Sequence, residues 1–325
     1  MEKISPEVFI DEMLETRIIP GKKLILYVGM KYDYGRKDWG LSYEHYAFYK
    51  TLLEMDYSLV YFDYQNINAR FGAAQTTKLL KEAVFYYSPE LLFYLHFHDI
   101  IDHNAWDELP VKKLIHLADD HWRYKDTGPV WGQFKNIITT DEVGYKKRQG
   151  RYNVIKCQWG ANHLLYKSLG LPKKHDVSFV GRCYNGRAEF IGKLKSAGID
   201  VLLIDSNTSR VTQAEMIRIH NQSKIGINIS ESSSGNKIQI KGRDFEIPAC
   251  GTMLLTRDSA EIRKCFVPGK EIAVYKNVGD AVDKCVYYLK EEKKRERIAA
   301  AGLERVLRDH TYLAKMGEIL NGRID

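Results

Sequence analysis

Two glycines and two arginines crowd the segment Gly181, Arg182, Asn185, Gly186 and Arg187, directly after the apolar run DVSFVG. Glycines let a ligand approach the backbone. A helix starting at Arg187 would offer unpaired N–H groups and the positive end of its dipole, a natural phosphate site. Arg182 or Arg187 could complete the neutralisation, and an ordinary strand–helix turn with surface arginines is the alternative. Asp205, after DVLLI, and Asn228 with Ser230, in KIGINIS, are polar residues at two more strand ends. They suit hydrogen bonds to a base or phosphate, and equally the capping of the next helix.

The first half carries Asp119 and Asp120 at the end of LIHLA, and a group of His96, His98, Asp99, Asp102 and His103. His96 and His98 share one strand face, and mixed His/carboxylate sites bind metals. A metal needs converging geometry, so histidines at a polar strand end are the preferred reading, with no metal. A loop rich in Gly and Tyr runs from Gly29 through Tyr34 to Gly40, and His45 lies early in the helix expected after it.

These residues must be positioned by alternating strands and helices. An amphipathic helix is expected at Pro6–Glu15, strands at Lys23–Gly29, Ser58–Asp63, Glu90–His96, Lys112–Leu117, Asn136–Thr140 and Val154–Trp159, and a helix at Leu41–Met55. Continuous apolar runs such as KLILYVG read as parallel strands buried on both faces. SLGLPKKH (Ser168–His175) breaks the pattern like a hinge. The alternation then restarts through Asp176–Gly181, Asp200–Asp205, Lys224–Ser230, Thr252–Thr256 and Glu271–Tyr275, with long helices over Gly279–Arg308 and Tyr312–Leu320. Two mostly parallel sheets covered by helices make two Rossmann-like domains facing a cleft. In such sheets ligands bind beyond the carboxyl ends of the strands, where the candidates above stand. No Gly-x-Gly-x-x-Gly follows any strand, which weakens an oxidoreductase reading.

With 325 residues two domains are expected, and no apolar stretch reaches the roughly 20 residues a membrane helix needs. Met1 to Glu15 is acidic and lacks the pattern of a signal peptide, so a soluble, cytoplasmic protein is expected. The five cysteines (Cys157, Cys183, Cys250, Cys265, Cys285) form no Cys-x-x-Cys pair, which argues against a disulfide framework or a thiolate zinc site. A net charge of +7 suits DNA, an anionic glycan or a diphosphate. Lys290–Arg297 alternates with glutamates and reads as a solvated, salt-bridged face. Lys146, Lys147, Arg148 and Arg151 lack such compensation and are the better anion contacts.

The run RDFEIPACGTMLLT (Arg243–Thr256) resembles the signature of the spore-maturation-type enzymes of the group 1 glycosyltransferase family. CFVPGKEIAVYKNVGDAVDKCVYYL, RERIAAAGLERVLRDHTY and the opening DVSFVGRCYNGRAEFI continue the resemblance from Asp176 to about Tyr312. It implies a GT-B fold: an acceptor domain over residues 1–170, a nucleotide-sugar domain over 171–309, and a helix at 310–325 returning to the first domain. It implies a nucleotide-sugar donor, UDP- or GDP-linked, and no obligatory metal or other cofactor. Glu246 would bind the ribose hydroxyls, as a carboxylate can accept from both at once; a carboxylate offsetting the helix dipole is the alternative. Arg243 or Lys241 would face the diphosphate, with Gly251 and Thr252 starting the strand behind it. By the same resemblance Gly29, Tyr34, Gly40 and His45 would lie on the acceptor side. Asp119, Asp120 and His96 are then the candidates for the base that takes the acceptor's proton. One departure matters. Ile238 stands where retaining members carry a second glutamate, so the stereochemical outcome is left open.

The acceptor could be a glycan, a protein, a small metabolite or a hydroxylated base in DNA. A sugar-nucleotide epimerase on the same fold, and a non-catalytic nucleotide-sugar or DNA-binding protein, are the alternatives.

Overall fold

The computed structural model describes residues 14–120, 123, 130–230 and 238–324. By internal contacts the chain forms two units, one running to Gln158 and resuming at Lys315, the other spanning Trp159–Ala314.

The first unit is built on a seven-stranded sheet: β1 (Glu15–Arg17), β2 (Leu24–Gly29), β3 (Ser58–Asp63), β4 (Leu91–His96), β5 (Lys112–Leu117), β6 (Asn136–Thr139) and β7 (Asn153–Lys156). Their order is β1-β3-β2-β4-β5-β6-β7, parallel except for β1, which pairs antiparallel with β3 at the edge. The apolar runs explain this placement. Leu26, Val28, Leu92 and Tyr94 enter a core with Trp106 on one face, while Tyr27 and Phe93 pack together on the other. Both faces are therefore closed to water, as a parallel sheet requires.

The second unit has five parallel strands, β8 (His175–Gly181), β9 (Val201–Asp205), β10 (Ser223–Asn228), β11 (Met253–Arg257) and β12 (Ala273–Tyr275), in the order β12-β11-β10-β8-β9. In each unit the first long strand is followed by a neighbour on one side and then a neighbour on the other. That reversal opens a crevice at the carboxyl ends of β2 and β4, and again at β8 and β10.

Several expected elements differ in detail. The helix expected over Leu41–Met55 is π-helical at His45–Tyr49 and closes with one α-turn, Lys50–Leu52. Helices Tyr64–Phe71 and Ala73–Tyr87, separated by Gly72 at φ 80°, fill the stretch between β3 and β4. The long C-terminal helix breaks at Glu291 into Val278–Lys290 and Glu292–Asp309. There Arg295, buried, donates to the carbonyl of Tyr288 and pairs with Glu292 and Glu296, so this charged run is anchored and not merely solvated. Residues 6–13 of the expected N-terminal helix, and the loop ESSSGN (231–236), lie outside the described residues, and Glu15 opens β1. Among the described residues no helix is long and apolar enough to cross a membrane.

Candidate functional site

The crevice between β8 and β10 is lined by short, polar turns. β8 ends at Gly181, and Gly186, at φ 78°, precedes the helix Arg187–Ser196 without a side-chain cap. The Arg187 N–H donates to the Tyr184 carbonyl at 3.1 Å, and no side chain caps the helix start. Asp205, at the end of β9, accepts from the N–H groups of Cys183 and Asn207, both at 3.0 Å, which fixes the turn after β8. Arg187 folds back. Its guanidinium donates to the carbonyls of Arg182 (3.0 Å) and Ile229 (2.6 Å) and lies 4.0 Å over the Tyr184 ring. It ties the turn to the end of β10, and Arg182 remains half-buried at the turn's start.

The helix Arg243–Ala249 packs across the same strand ends. Its anchor is Asp244, which is fully buried and accepts from Asn228 Nδ2 (2.7 Å), Thr256 Oγ1 (2.7 Å) and the Lys241 N–H (2.9 Å). Ser230 bonds Thr256 at 2.9 Å and receives Asn228 Nδ2 at 3.1 Å. Asn228 and Ser230 thus hold the strand ends to the helix, with both side chains turned into a buried network. Such a network is costly to break, because each member left alone is a desolvated polar group.

Two side chains of this helix, Arg243 and Glu246, carry charge at the strand ends. The Arg243 guanidinium carbon stands 3.9 Å from where a β-carbon on Gly181 would lie, and its buried Nε has no hydrogen-bond partner among the described residues. The ends of the two motifs therefore meet. Glu246 lies one turn along and is 2% exposed. Burial lifts its carboxyl to about 7, against the pull of Arg243 and of the Tyr166 hydroxyl; the charge of Asp244 adds to the rise. Lys241, half-buried, bonds Gln239. Gly251 takes φ 70° at the end of the helix, where a β-carbon would press to 3.1 Å from Ser168 Oγ. Thr252 donates to the His220 carbonyl at 2.6 Å and accepts from Lys173 at 3.0 Å, so it secures the backbone behind the site. Cys250 is buried beside it, its thiol pushed up by burial.

Around β2 and β4 the candidates separate. Asp120 is buried in a two-pronged ion pair with Arg148, and Thr139 donates to it at 2.7 Å. The expectation that Arg148 is an uncompensated anion contact is thereby corrected. Its charge is met inside the fold by a carboxylate 28 residues away, a pairing no linear spacing displays. Asp119, by contrast, lies two residues beyond β5 at φ 56°, an uncommon conformation for a non-glycine residue. His96 is buried and bonds the Tyr94 hydroxyl at 3.0 Å; burial, with Arg123 nearby, lowers its pKa to about 4. His45 packs inward between Tyr49 and Tyr61, and burial lowers it to about 3. Gly29 must be small, since a β-carbon would meet the Tyr27 ring at 2.6 Å, and Gly40 takes φ 80°.

The histidine–aspartate group has other commitments. His98 bonds Gln65, His103 bonds Asp99 at 2.6 Å, and Asp102 caps the helix His103–Glu108. Among the described residues no group of His, Cys, Asp and Glu is arranged to hold a metal ion.

Two residues, His220 and Glu44, escaped the sequence reading, and Asp244 was legible only as part of a motif. His220 is buried beside Arg243, lowered to about 3 by burial, with neither ring nitrogen bonded among the described residues. Glu44, half-buried before the π-helix, has its carboxyl raised to about 7 by burial and by the charges of Asp33 and Asp119, while its own N–H and Arg123 oppose the shift. No local pattern marks it, because its neighbours come from the separate segments after β2 and β5.

Residues 175–321 match a family described as glycosyl transferase-like. No curated protein matches the chain by sequence. Solved structures resemble it along nearly its whole length. Sucrose-phosphate synthase of Thermosynechococcus elongatus superposes with a TM-score of 0.63 at 10% identity, over 92% of this chain and 98% of that one. HepE of Anabaena, in complex with UDP and glucose, gives 0.62 at 13% identity over 92% and 99%. A glycosyltransferase of Rickettsia africae gives 0.58 at 12% identity over 92% and 98%. The C-terminal unit is that of a glycosyltransferase, and the chain as a whole has the GT-B fold of this class of enzyme.

Proposed function

We propose that the protein moves a sugar from a UDP-linked donor to a hydroxyl acceptor, holding the donor at the carboxyl ends of β8 and β10. The observation that carries this reading is Arg243, whose guanidinium overhangs Gly181 one turn from Glu246 and whose buried Nε has no hydrogen-bond partner among the described residues. A guanidinium beside an uncapped helix N-terminus is suited to a diphosphate, and a neighbouring carboxylate to ribose hydroxyls. The leaving diphosphate is then stabilised by Arg243, Lys241 and the helix Arg187–Ser196, charges fixed in place before reaction, without a required metal ion. UDP is favoured because HepE of Anabaena, similar in fold, is described with UDP-glucose. The motif RDFEIPACGTMLLT supports a spore-maturation-type member, and the five free cysteines suit a reducing cytoplasm.

The first unit takes the acceptor. Asp120 is bound to Arg148, and neutral His96, lowered to about 4, is a weak base. The acceptor's proton is assigned instead to Glu44, whose carboxyl burial raises to about 7, with Asp33 and Asp119 adding to the rise. The acceptor oxygen attacks the anomeric carbon as the bond to the diphosphate breaks, and the diphosphate leaves with the bonding electrons.

A thermal-shift series with UDP-, GDP-, ADP- and TDP-sugars tests the donor site. A ligand at a hundred times its dissociation constant adds about 2.7 kcal/mol of stability. Stabilisation by a UDP-sugar, abolished in Arg243→Ala, is the expected result. No shift with any nucleotide sugar ends the reading.

A further inference from the structure

At the reversal of strand order in the first unit, the turns after β2 and β4 set aromatic rings against each other. Tyr34 lies edge-on to Phe97 with centroids 5.1 Å apart and to Trp39 at 5.8 Å, and the His98 ring stands 6.4 Å away. Tyr34 is 42% exposed and is held at φ 53°, in the left-handed region. Strain of this kind, in a residue that fills no core, is a feature of ligand-binding positions. Cations fix the group from outside. Arg36 lies 4.4 Å over Trp39 and is paired with Asp38, and Arg123 lies 5.0 Å over Phe97 and donates to its carbonyl at 2.5 Å.

The charge around this shelf decides what it suits. Asp33, Asp63, Asp119 and Glu44 stand among Lys31 and Arg123 at the same strand ends. A phosphate backbone needs a continuous basic surface to release its counterions, and this mixed field lacks one. A neutral ring with one C–H face and a rim of hydroxyls finds what it needs, an aromatic surface and carboxylate acceptors. We propose that Tyr34, Trp39 and Phe97 form an acceptor subsite for a neutral pyranose ring of a glycan or glycoside, with its hydroxyls directed to the surrounding carboxylates. The use of the bound sugar rests on the transfer reading above, whereas its binding does not.

Saturation-transfer NMR on the full chain, without donor, tests this with methyl glucoside, methyl galactoside, methyl mannoside and a short single-stranded DNA as probes. Transfer to the ring C–H protons of at least one glycoside is expected. It should weaken about tenfold or vanish in Tyr34→Ala and Trp39→Ala, and persist in Tyr34→Phe. Unfolding temperatures near that of the unsubstituted protein show that the variants fold. Should the alanine variants unfold, the Trp39 indole resonance of the unsubstituted protein decides, since it must move with the glycoside. The proposal falls if no glycoside gives transfer, if the variants transfer equally, or if DNA moves that indole while the glycosides do not. A failure of UDP-sugars to bind would end the transfer reading and leave this outcome unaffected.

Discussion

Arg243 reaches across from one helix to cover Gly181 at the tip of a strand more than 60 residues earlier, with 3.9 Å between its guanidinium carbon and the place a β-carbon would take. This contact joins the turn after β8 to the helix Arg243–Ala249 and gives the second unit a charged centre at the reversal of its strand order.

Replacing Arg243 by alanine should weaken UDP binding at least about tenfold, the equivalent of 1.4 kcal/mol, with the second unit still folded. Lysine should recover part of the loss, since it keeps the charge but not the planar fork. Isothermal titration reads both. Affinity within twofold of the parent in Arg243→Ala would remove the guanidinium from the donor site.

Glu246 carries two opposing expectations. Its pKa rises from about 4.5 when unfolded to about 7 when folded, so the folded state binds more protons between those values and stability falls as pH rises through that window. Glu246→Gln should therefore raise the melting temperature at pH 8 and change it little at pH 4. The gain has an upper bound of about 3 kcal/mol. Ribose recognition should suffer in the same variant, with discrimination between UDP and its 2′,3′-dideoxy analogue lost. A variant that is less stable at pH 8 would assign the carboxylate to the fold.

Asp120 and Arg148 form the pair whose disruption should be felt in folding. Removing one partner of a buried ion pair typically costs about 3–5 kcal/mol, so Asp120→Ala should lower the denaturant midpoint sharply. Gly144→Ala should do likewise, because its β-carbon would stand 2.2 Å from Asp120 Oδ2 with Thr139 Oγ1 at 2.6 Å. Equilibrium unfolding measures both, and near-parent stability would contradict the pairing.

The proton route makes a sharper demand. If Glu44 takes the acceptor's proton, kcat rises with pH through about 7 and Glu44→Gln flattens that limb. Asp119→Asn removes a charge that raises the Glu44 pKa, so the limb should move to lower pH without disappearing. A limb unmoved in both variants would direct the search for the base elsewhere.

How far the sequence reaches differs between the two units. The strands of both were readable, because apolar runs such as LILYVG, LLFYLH and KIGIN have little alternative once buried on two faces. The turn at Gly181 and the helix at Arg243 were readable as a motif and a glycine-rich strand end. What the residues do there was less so. Arg187, Asn228 and Ser230 look like ligand contacts in the linear chain, yet each is turned inward to a partner set by folding. His45 and His96 are polar residue types whose partners are aromatic rings. Glu44 gave no signal, because its character comes from Asp33, Asp119 and Arg123, which no local window contains.

The segment from Lys315 belongs to the first unit, where Lys315 donates to the carbonyl of Gln158, Tyr57 bonds Asn321 and Asn153 donates to the carbonyl of Arg323. The polypeptide thus passes from one globule to the other and back, so the second is an insertion in the first. A fragment ending at Gln158 would lack the residues from Lys315 onward that complete the first unit. Joining residue 158 to residue 315 by a short linker is the natural way to isolate the first unit, and a single proteolytic nick between the two would leave them still tethered.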